Sequence, residues 1–276
     1  MLPFALASQL DDPLLGVKAK LARANEHMKT LDKQWGTFGE TETYTCESKE
    51  GPEPNHWNCY FIERPVPIEF SVILGDVLHN LRSTLDHLVG YFVERHGGTV
   101  ERHHAFPIHD CETTYEGLVN QRRRKRDGAG PLDGIPAGSP ERALIQESQP
   151  YHRGDEARSH PLAVLNNMVN IDKHRAIHVV AAYPQATDAL DLLAWPADAE
   201  LIDHTSIWQP GEPLKGRTHI ASLRFSDAHP ADEVGMKANL PLAIAFGEGP
   251  PQDVRLEDIF AYVSQIISSG TEVILL

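Results

Sequence analysis

The longest regular pattern of hydrophobic positions in the chain lies between Ile68 and His96. Its large apolar residues are separated alternately by four and three positions, which is the spacing of one helix face. They form an apolar seam of Leu74, Leu78, Leu81, Leu85, Leu88 and Phe92. The pattern predicts a long helix that packs against other helices through this seam and ends at Gly97-Gly98.

Shorter patterns of both kinds lie on either side of this helix. Helical spacing predicts helices over 12–31, 113–126, 140–149, 161–175 and 254–268, with Ser139 as the N-cap of the third. Runs rich in aromatic and β-branched residues predict a β-hairpin from 43–48 and 57–63. Further strands are predicted over 176–182, 189–194, 206–209, 218–225 and 238–246.

The order of these elements predicts an α+β protein. A helical bundle with an inserted hairpin is expected over 1–178, built on helices 12–31, 68–96 and 161–175. A β-rich part that ends in a helix is expected over 179–276, and the two parts can share one core.

Composition narrows the class of protein. The chain has 276 residues with 41% hydrophobic and 23% charged residues, and it contains no apolar run of membrane-spanning length. Its N-terminal stretch lacks the basic region of a signal peptide, so we expect a cytoplasmic protein without a membrane partner.

The net charge of -14 disfavours extensive contact with nucleic acid. Three cysteines without CxxC spacing predict reduced thiols, and no cofactor is predicted.

The polar side of the long helix carries few of the residues that usually cover an exposed helix. Between Gly75 and Leu88 it has no Lys or Glu, although both are favourable on solvated helices. At about 100° per residue, one flank carries His79, Arg82 and Asp86. The opposite flank carries Asp76, Asn80, Ser83 and His87. This concentration of hydrogen-bonding groups predicts a polar site.

A second cluster lies at the end of the helix predicted over 161–175. Asp172, Lys173, His174 and Arg175 are four consecutive ionisable residues. His174 and Arg175 are favoured at a helix C-terminus by the helix dipole. If the two helices pack side by side, these groups converge with the polar flank of the long helix.

The segment Arg82-Ser-Thr-Leu-Asp-His87 resembles the R-x4-H motif of HEPN-type ribonucleases, and Ser83 matches the polar residue that follows the arginine. The resemblance implies a homodimer that cleaves RNA without a metal, in a defence or toxin system. It implies that Arg82 binds the phosphate and that His87 is the general acid and base. Asp86 and Asn80 would orient them, with assistance from His174. The residues expected to contact the RNA substrate are His79, Asp172, Lys173 and Arg175.

Two other interpretations remain open. The polar residues can form a buried network that fixes helix pairing in a non-enzymatic interaction protein. Alternatively, His79, Asp86, His87 and His174 are competent metal ligands, although their spacing matches no standard motif. The wider pattern, with HNLRSTLDH followed by DKHR, also resembles a widespread group of uncharacterised bacterial and phage proteins. That resemblance implies no activity.

Overall fold

The computed structural model describes residues 14–40, 44–63, 66–119, 129–174, 179–181, 187–210, 214, 216–227, 233–236, 244–246 and 255–275. Its elements confirm the α+β class, with helices in the first part, a small antiparallel sheet and a C-terminal helix. Within these residues, no helix combines the length and apolar character needed to cross a membrane.

Helices occur at all the predicted positions, although the first continues beyond its predicted end at 31 to Glu40 and the last beyond 268 to Leu275. Ser139 caps the N-terminus of its helix, as expected, by accepting from the Arg142 N–H. The helices are α1 (Leu15–Glu40), α2 (Ile68–Arg95), α3 (Glu112–Val119), α4 (Pro140–Glu147), α5 (Pro161–Asp172) and α6 (Leu256–Leu275). Residues 120–126 of the helix predicted over 113–126 lie outside the described residues. The segment Pro150–Ser159 forms 3-10 turns.

The described strands are β1 (Tyr44–Glu50), β2 (His56–Glu63), β3 (Val179–Ala181), β4 (Leu193–Ala194), β5 (Leu201–Ser206), β6 (Arg217–Phe225), β7 (Gly235–Met236) and β8 (Ile244–Phe246). All pairs among them are antiparallel, and the largest sheet has the order β1-β2-β6-β5. Two smaller sheets pair β3 with β8 and β4 with β7.

The strand predicted over 206–209 was wrong, because the strand in that region is β5. The four central residues of β5 are exposed, so the strand lacks the alternation of apolar and polar residues that marks a half-buried strand. Residues 189–192 also differ from the prediction, since they form a 3-10 turn before β4.

The described residues fall into two compact units. The helical unit comprises those within Met1–Thr30, Val72–Ile177 and Glu248–Leu276, and the β unit comprises those within Leu31–Ser71 and His178–Gly247. These units differ from the division expected at residue 178. The hairpin joins the later strands because β2 pairs with β6.

The apolar seam of α2 is the centre of the helical unit. All six seam side chains are fully buried. A methyl group at Gly270 of α6 would lie 3.2 Å from Leu88 Cδ1 and 3.5 Å from Phe92 Cζ. The glycine therefore lets α6 pack closely on the seam. Burial of a leucine side chain contributes about 1.5–3 kcal/mol, so the seam alone anchors α2 firmly.

The β unit has its own apolar core. The inner face of the large sheet contributes Trp57, Cys59 and Phe61 from β2, and Leu223 and Phe225 from β6. The turn at 189–192 and Trp208 cover this face. Alternation along β2 places Asn58 and Tyr60 on the opposite face, where both are half-buried.

Candidate functional site

One stripe of α2 carries most of the predicted polar site. Gly75, His79, Arg82 and Asp86 follow each other by four, three and four residues, so they share one helix face. This is the flank that the sequence predicts for His79, Arg82 and Asp86. Different neighbours occupy its two ends.

The N-terminal end of this stripe contacts the end of α5. A methyl group at Gly75 would lie 2.8 Å from Oδ1 and 2.9 Å from Oδ2 of Asp172, which is closer than real Cβ atoms approach. Glycine at position 75 therefore leaves the space that the Asp172 carboxylate uses. The two polar helices do touch, and Asp172 meets the flank that carries Arg82 and Asp86.

The other end of the stripe holds the backbone of Phe106. Arg82 Nη2 donates to the Phe106 carbonyl at 2.7 Å, and the Phe106 N–H donates to Asp86 Oδ1 at 2.9 Å. Arg82 Nη2 also pairs with Asp86 Oδ1 at 3.1 Å. We call this arrangement of Arg82, Asp86 and the Phe106 peptide groups the Phe106 clamp. It binds both polar backbone groups of a residue whose side chain is fully buried.

The clamp excludes most solvent from the arginine. The Arg82 side chain is 18% exposed, and that of Asp86 is 34% exposed. Burial lowers the pKa of Arg82, and the charge of Asp86 opposes this effect. Arg82 Nη1 is buried and has no hydrogen-bond partner among the described residues.

Further hydrogen bonds fix the loop around Phe106. Gln149 Nε2 donates to the carbonyls of Pro107 at 2.8 Å and Ile145 at 2.9 Å, and Gln149 Oε1 accepts from the His109 N–H. The Ala105 N–H donates to the Pro131 carbonyl. Because its backbone is held on both sides of Phe106, this loop is a fixed part of the helical unit.

The opposite flank of α2 has different surroundings. His87 is exposed, and a methyl group at Gly16 of α1 would lie 3.2 Å from its Nδ1. Asn80 is 9% exposed, and its Nδ2 donates to the Asp76 carbonyl one turn earlier at 2.7 Å. The Asn80 carbonyl accepts from Thr84 Oγ1 at 2.8 Å. Asn80 therefore bonds within its own helix rather than to Arg82 or His87 in these contacts.

The end of α5 is exposed at Asp172, Lys173 and His174. The backbone N–H groups of Lys173 and His174 donate to the carbonyls of Val169 and Ile171 and close the last turn. Arg175 lies outside the described residues.

His160 fixes the other end of α5, a role that the sequence pattern did not predict. Its Nδ1 accepts from the Leu162 N–H at 3.2 Å, which caps the helix. Its ring contacts the Tyr262 ring edge-on, with the centroids 4.6 Å apart. Burial lowers the pKa of His160 to about 4, with smaller contributions from Arg153 and His152. The side chain therefore stays neutral near pH 7 and can accept the capping bond.

The structure separates the predicted site residues into three sets. His79, Arg82 and Asp86 share the stripe that Asp172 contacts, whereas His87 and Asn80 lie on the other flank. Lys173 and His174 are exposed at the end of α5. The predicted site did not include Phe106, which contributes its backbone groups, or Gly75. The unusual glycine inside a strongly helical segment was the available signal for the close contact at position 75.

Within the described residues, no group of three or more His, Cys, Asp or Glu side chains is arranged to hold a metal ion. Comparisons with protein-family models, with curated proteins and with solved structures found no match.

Proposed function

We propose that this chain is a non-enzymatic interaction protein in which the polar residues of α2 form a structural network. The Phe106 clamp is the observation that carries this proposal. The two N–H groups of Arg82 Nη2 are used by the Phe106 carbonyl and the Asp86 carboxylate, so this nitrogen has no donor left to hold a scissile phosphate.

The position of His87 supports the same proposal. Five residues of regular helix separate Arg82 from His87 by about 140° around the axis. Arg82 contacts the loop at Phe106, while His87 lies beside Gly16. Two groups that act on one phosphate must both come within about 3 Å of it. Side chains that face different structural elements do not meet this condition within one chain.

An edge of the β unit supports a role in binding. In the described sheet β5 is an edge strand, and its Ile202 is 57% exposed, while Ile207 just after it is 42% exposed. Exposed apolar side chains at a sheet edge favour association. The partner in this proposal is a second copy of the chain.

Light scattering should then give a dimer mass for the wild type and a monomer mass for Ile202→Lys. A monomeric wild type would overturn this part of the proposal.

The second candidate is a metal-independent HEPN-like endoribonuclease of a defence or toxin system. Two observations favour it: Arg82 Nη1 is buried without a partner among the described residues, and His87 is exposed. This candidate requires a homodimer, because a group from the second chain would have to complete the site.

One assay separates the two candidates. Purified wild type, Arg82→Ala, His87→Ala and His27→Ala are incubated with mixed RNA in EDTA, and their thermal unfolding is recorded. His27 is the control, since it is a histidine of α1 that is not among the predicted site residues. The proposal predicts no cleavage above buffer for any protein and a lower unfolding temperature for Arg82→Ala alone. Chelator-resistant cleavage that is lost in Arg82→Ala and His87→Ala but kept in His27→Ala would contradict it.

A further inference from the structure

A second polar cluster lies on the inner face of the hairpin in the β unit. Cys46 and Ser48 share one face of β1, and Cys59 of β2 is paired directly with Ser48. The Ser48 hydroxyl lies 3.7 Å from Cys46 Sγ and 3.8 Å from Cys59 Sγ. The two thiols therefore meet at one hydroxyl group.

Ser48 is held in this position by the neighbouring chain segment. Its hydroxyl donates to the Val234 carbonyl at 3.3 Å. A serine hydroxyl has one donor hydrogen and two acceptor lone pairs, so it can also share a hydrogen bond with either thiol, in either direction. Ser48 therefore lies between the two sulfur atoms, which the strand register places on the same side of the hairpin.

The two cysteines differ in their access to solvent. Cys59 is fully buried in the apolar core, whereas Cys46 is half-buried on β1, an edge strand of the described sheet. A small solute that reaches the hairpin from this edge therefore meets Cys46 first.

They also differ in acidity. The hydrogen bond from the Cys59 thiol lowers the pKa of Cys46 to about 7, against the opposing effect of burial and with help from Ser48. The same hydrogen bond, together with burial, raises the pKa of Cys59. Because the thiolate is the nucleophile, Cys46 attacks the oxidant first, while Cys59 is still protonated.

We propose that Cys46 and Cys59 form a dithiol site that is oxidised by hydrogen peroxide to an intrachain disulfide. The Cys46 thiolate attacks one peroxide oxygen, so that an S–O bond forms, the O–O bond breaks and the released hydroxide takes a proton to become water. Cys59 Sγ then attacks Cys46 Sγ. The S–S bond forms, the S–O bond breaks, and the Cys59 proton leaves with the hydroxide as a second water. Two thiols are oxidised, and one peroxide is reduced to two waters.

The test detects the Cys46–Cys59 disulfide directly in the wild-type protein. The protein is treated with hydrogen peroxide at neutral pH, blocked with iodoacetamide and digested without reduction. Trypsin cuts after Lys49, between the two cysteines, so the disulfide appears as a pair of linked peptides. We expect the Cys46–Cys59 pair to be the main oxidation product. This result does not depend on the folding of any variant.

Variants test the order of the steps. In Cys59→Ser the sulfenic acid should persist on Cys46 and be trapped by dimedone, whereas Cys46→Ser should leave Cys59 reduced. Cys111 is exposed and provides the internal control. The proposal is overturned if Cys111 is oxidised while Cys46 and Cys59 stay reduced. It is also overturned if Cys46 proceeds to sulfinic acid without a linked peptide.

Discussion

The two flanks of α2 carry similar residue types but have different neighbours. On one flank Arg82 and Asp86 hold the backbone of Phe106, and Gly75 receives the carboxylate of Asp172. On the other flank His87 is exposed beside Gly16. The difference shows that an R-x4-H spacing identifies two polar residues without placing them in one site. The contacts that each side chain makes with other segments decide its role.

The largest expected effect comes from removing the arginine of the clamp. Arg82→Ala leaves Asp86 beside an unpaired Phe106 carbonyl, and loss of one member of a partly buried ion pair costs about 3 kcal/mol. The free energy of unfolding in urea should fall by this amount. Arg23→Ala is the matched control, because Arg23 forms an exposed ion pair with Glu26. The control should change the free energy of unfolding by less than about 1 kcal/mol. If Arg82→Ala and Arg23→Ala lowered the free energy of unfolding equally, the clamp would contribute no more than an exposed ion pair.

The next effect depends on pH and concerns the cap that holds α5, and hence Asp172, in place. The pKa of His160 is lowered from 6.5 to about 4 in the folded protein. The unfolded chain therefore binds a proton at a higher pH than the folded protein. Neutral His160 therefore stabilises the folded protein fully above pH 6.5, and this contribution is lost as the pH falls from 6.5 to about 4. At 1.36 kcal/mol per pKa unit, the contribution to the free energy of unfolding is roughly 3 kcal/mol.

The variant for this measurement is His160→Asn, which can still cap the helix but does not titrate. The free energy of unfolding of the wild type, minus that of the variant, should fall by roughly 3 kcal/mol as the pH is lowered from 7 to 4. A difference that stays constant over this range would show that His160 is not held neutral.

A smaller effect is expected at the contact between the two polar helices. Gly75→Ala places a methyl group against the Asp172 carboxylate, so the side chain must move. We expect a loss of about 1 kcal/mol, and Asp172→Ala in the same chain should restore part of it through coupling of about 0.5 kcal/mol or more. Gly36→Ala in α1 is the control, since no heavy atom lies within 4 Å of its added methyl group. It should stabilise the protein by up to about 1 kcal/mol. Destabilisation by both changes, without rescue, would argue against a specific contact at Gly75.

The sequence predicted much of the helical part because its signals are local. The leucine seam of α2 and the cap at Ser139 are formed by residues close in sequence, and both are confirmed. The hairpin was also predicted, but its pairing with β6 was not. That contact depends on which distant strand supplies the complementary hydrogen bonds.

The candidate site was predicted only in part, for the same reason. Helix geometry grouped His79, Arg82 and Asp86 correctly and placed His87 apart from them. No sequence pattern showed that the partner of Arg82 would be the backbone of Phe106, because every residue has a carbonyl group. The exposed strand β5 was missed, since an edge strand can lack apolar alternation.

The most direct test of the clamp is hydrogen exchange of the Phe106 amide, measured by NMR. This N–H donates to Asp86 Oδ1, and the side chain of Phe106 is fully buried. The amide should be protected in the wild type and in His87→Ala, and its protection should be lost in Asp86→Ala. Unchanged protection in Asp86→Ala, or equal loss of protection in His87→Ala, would contradict the separation of the two flanks.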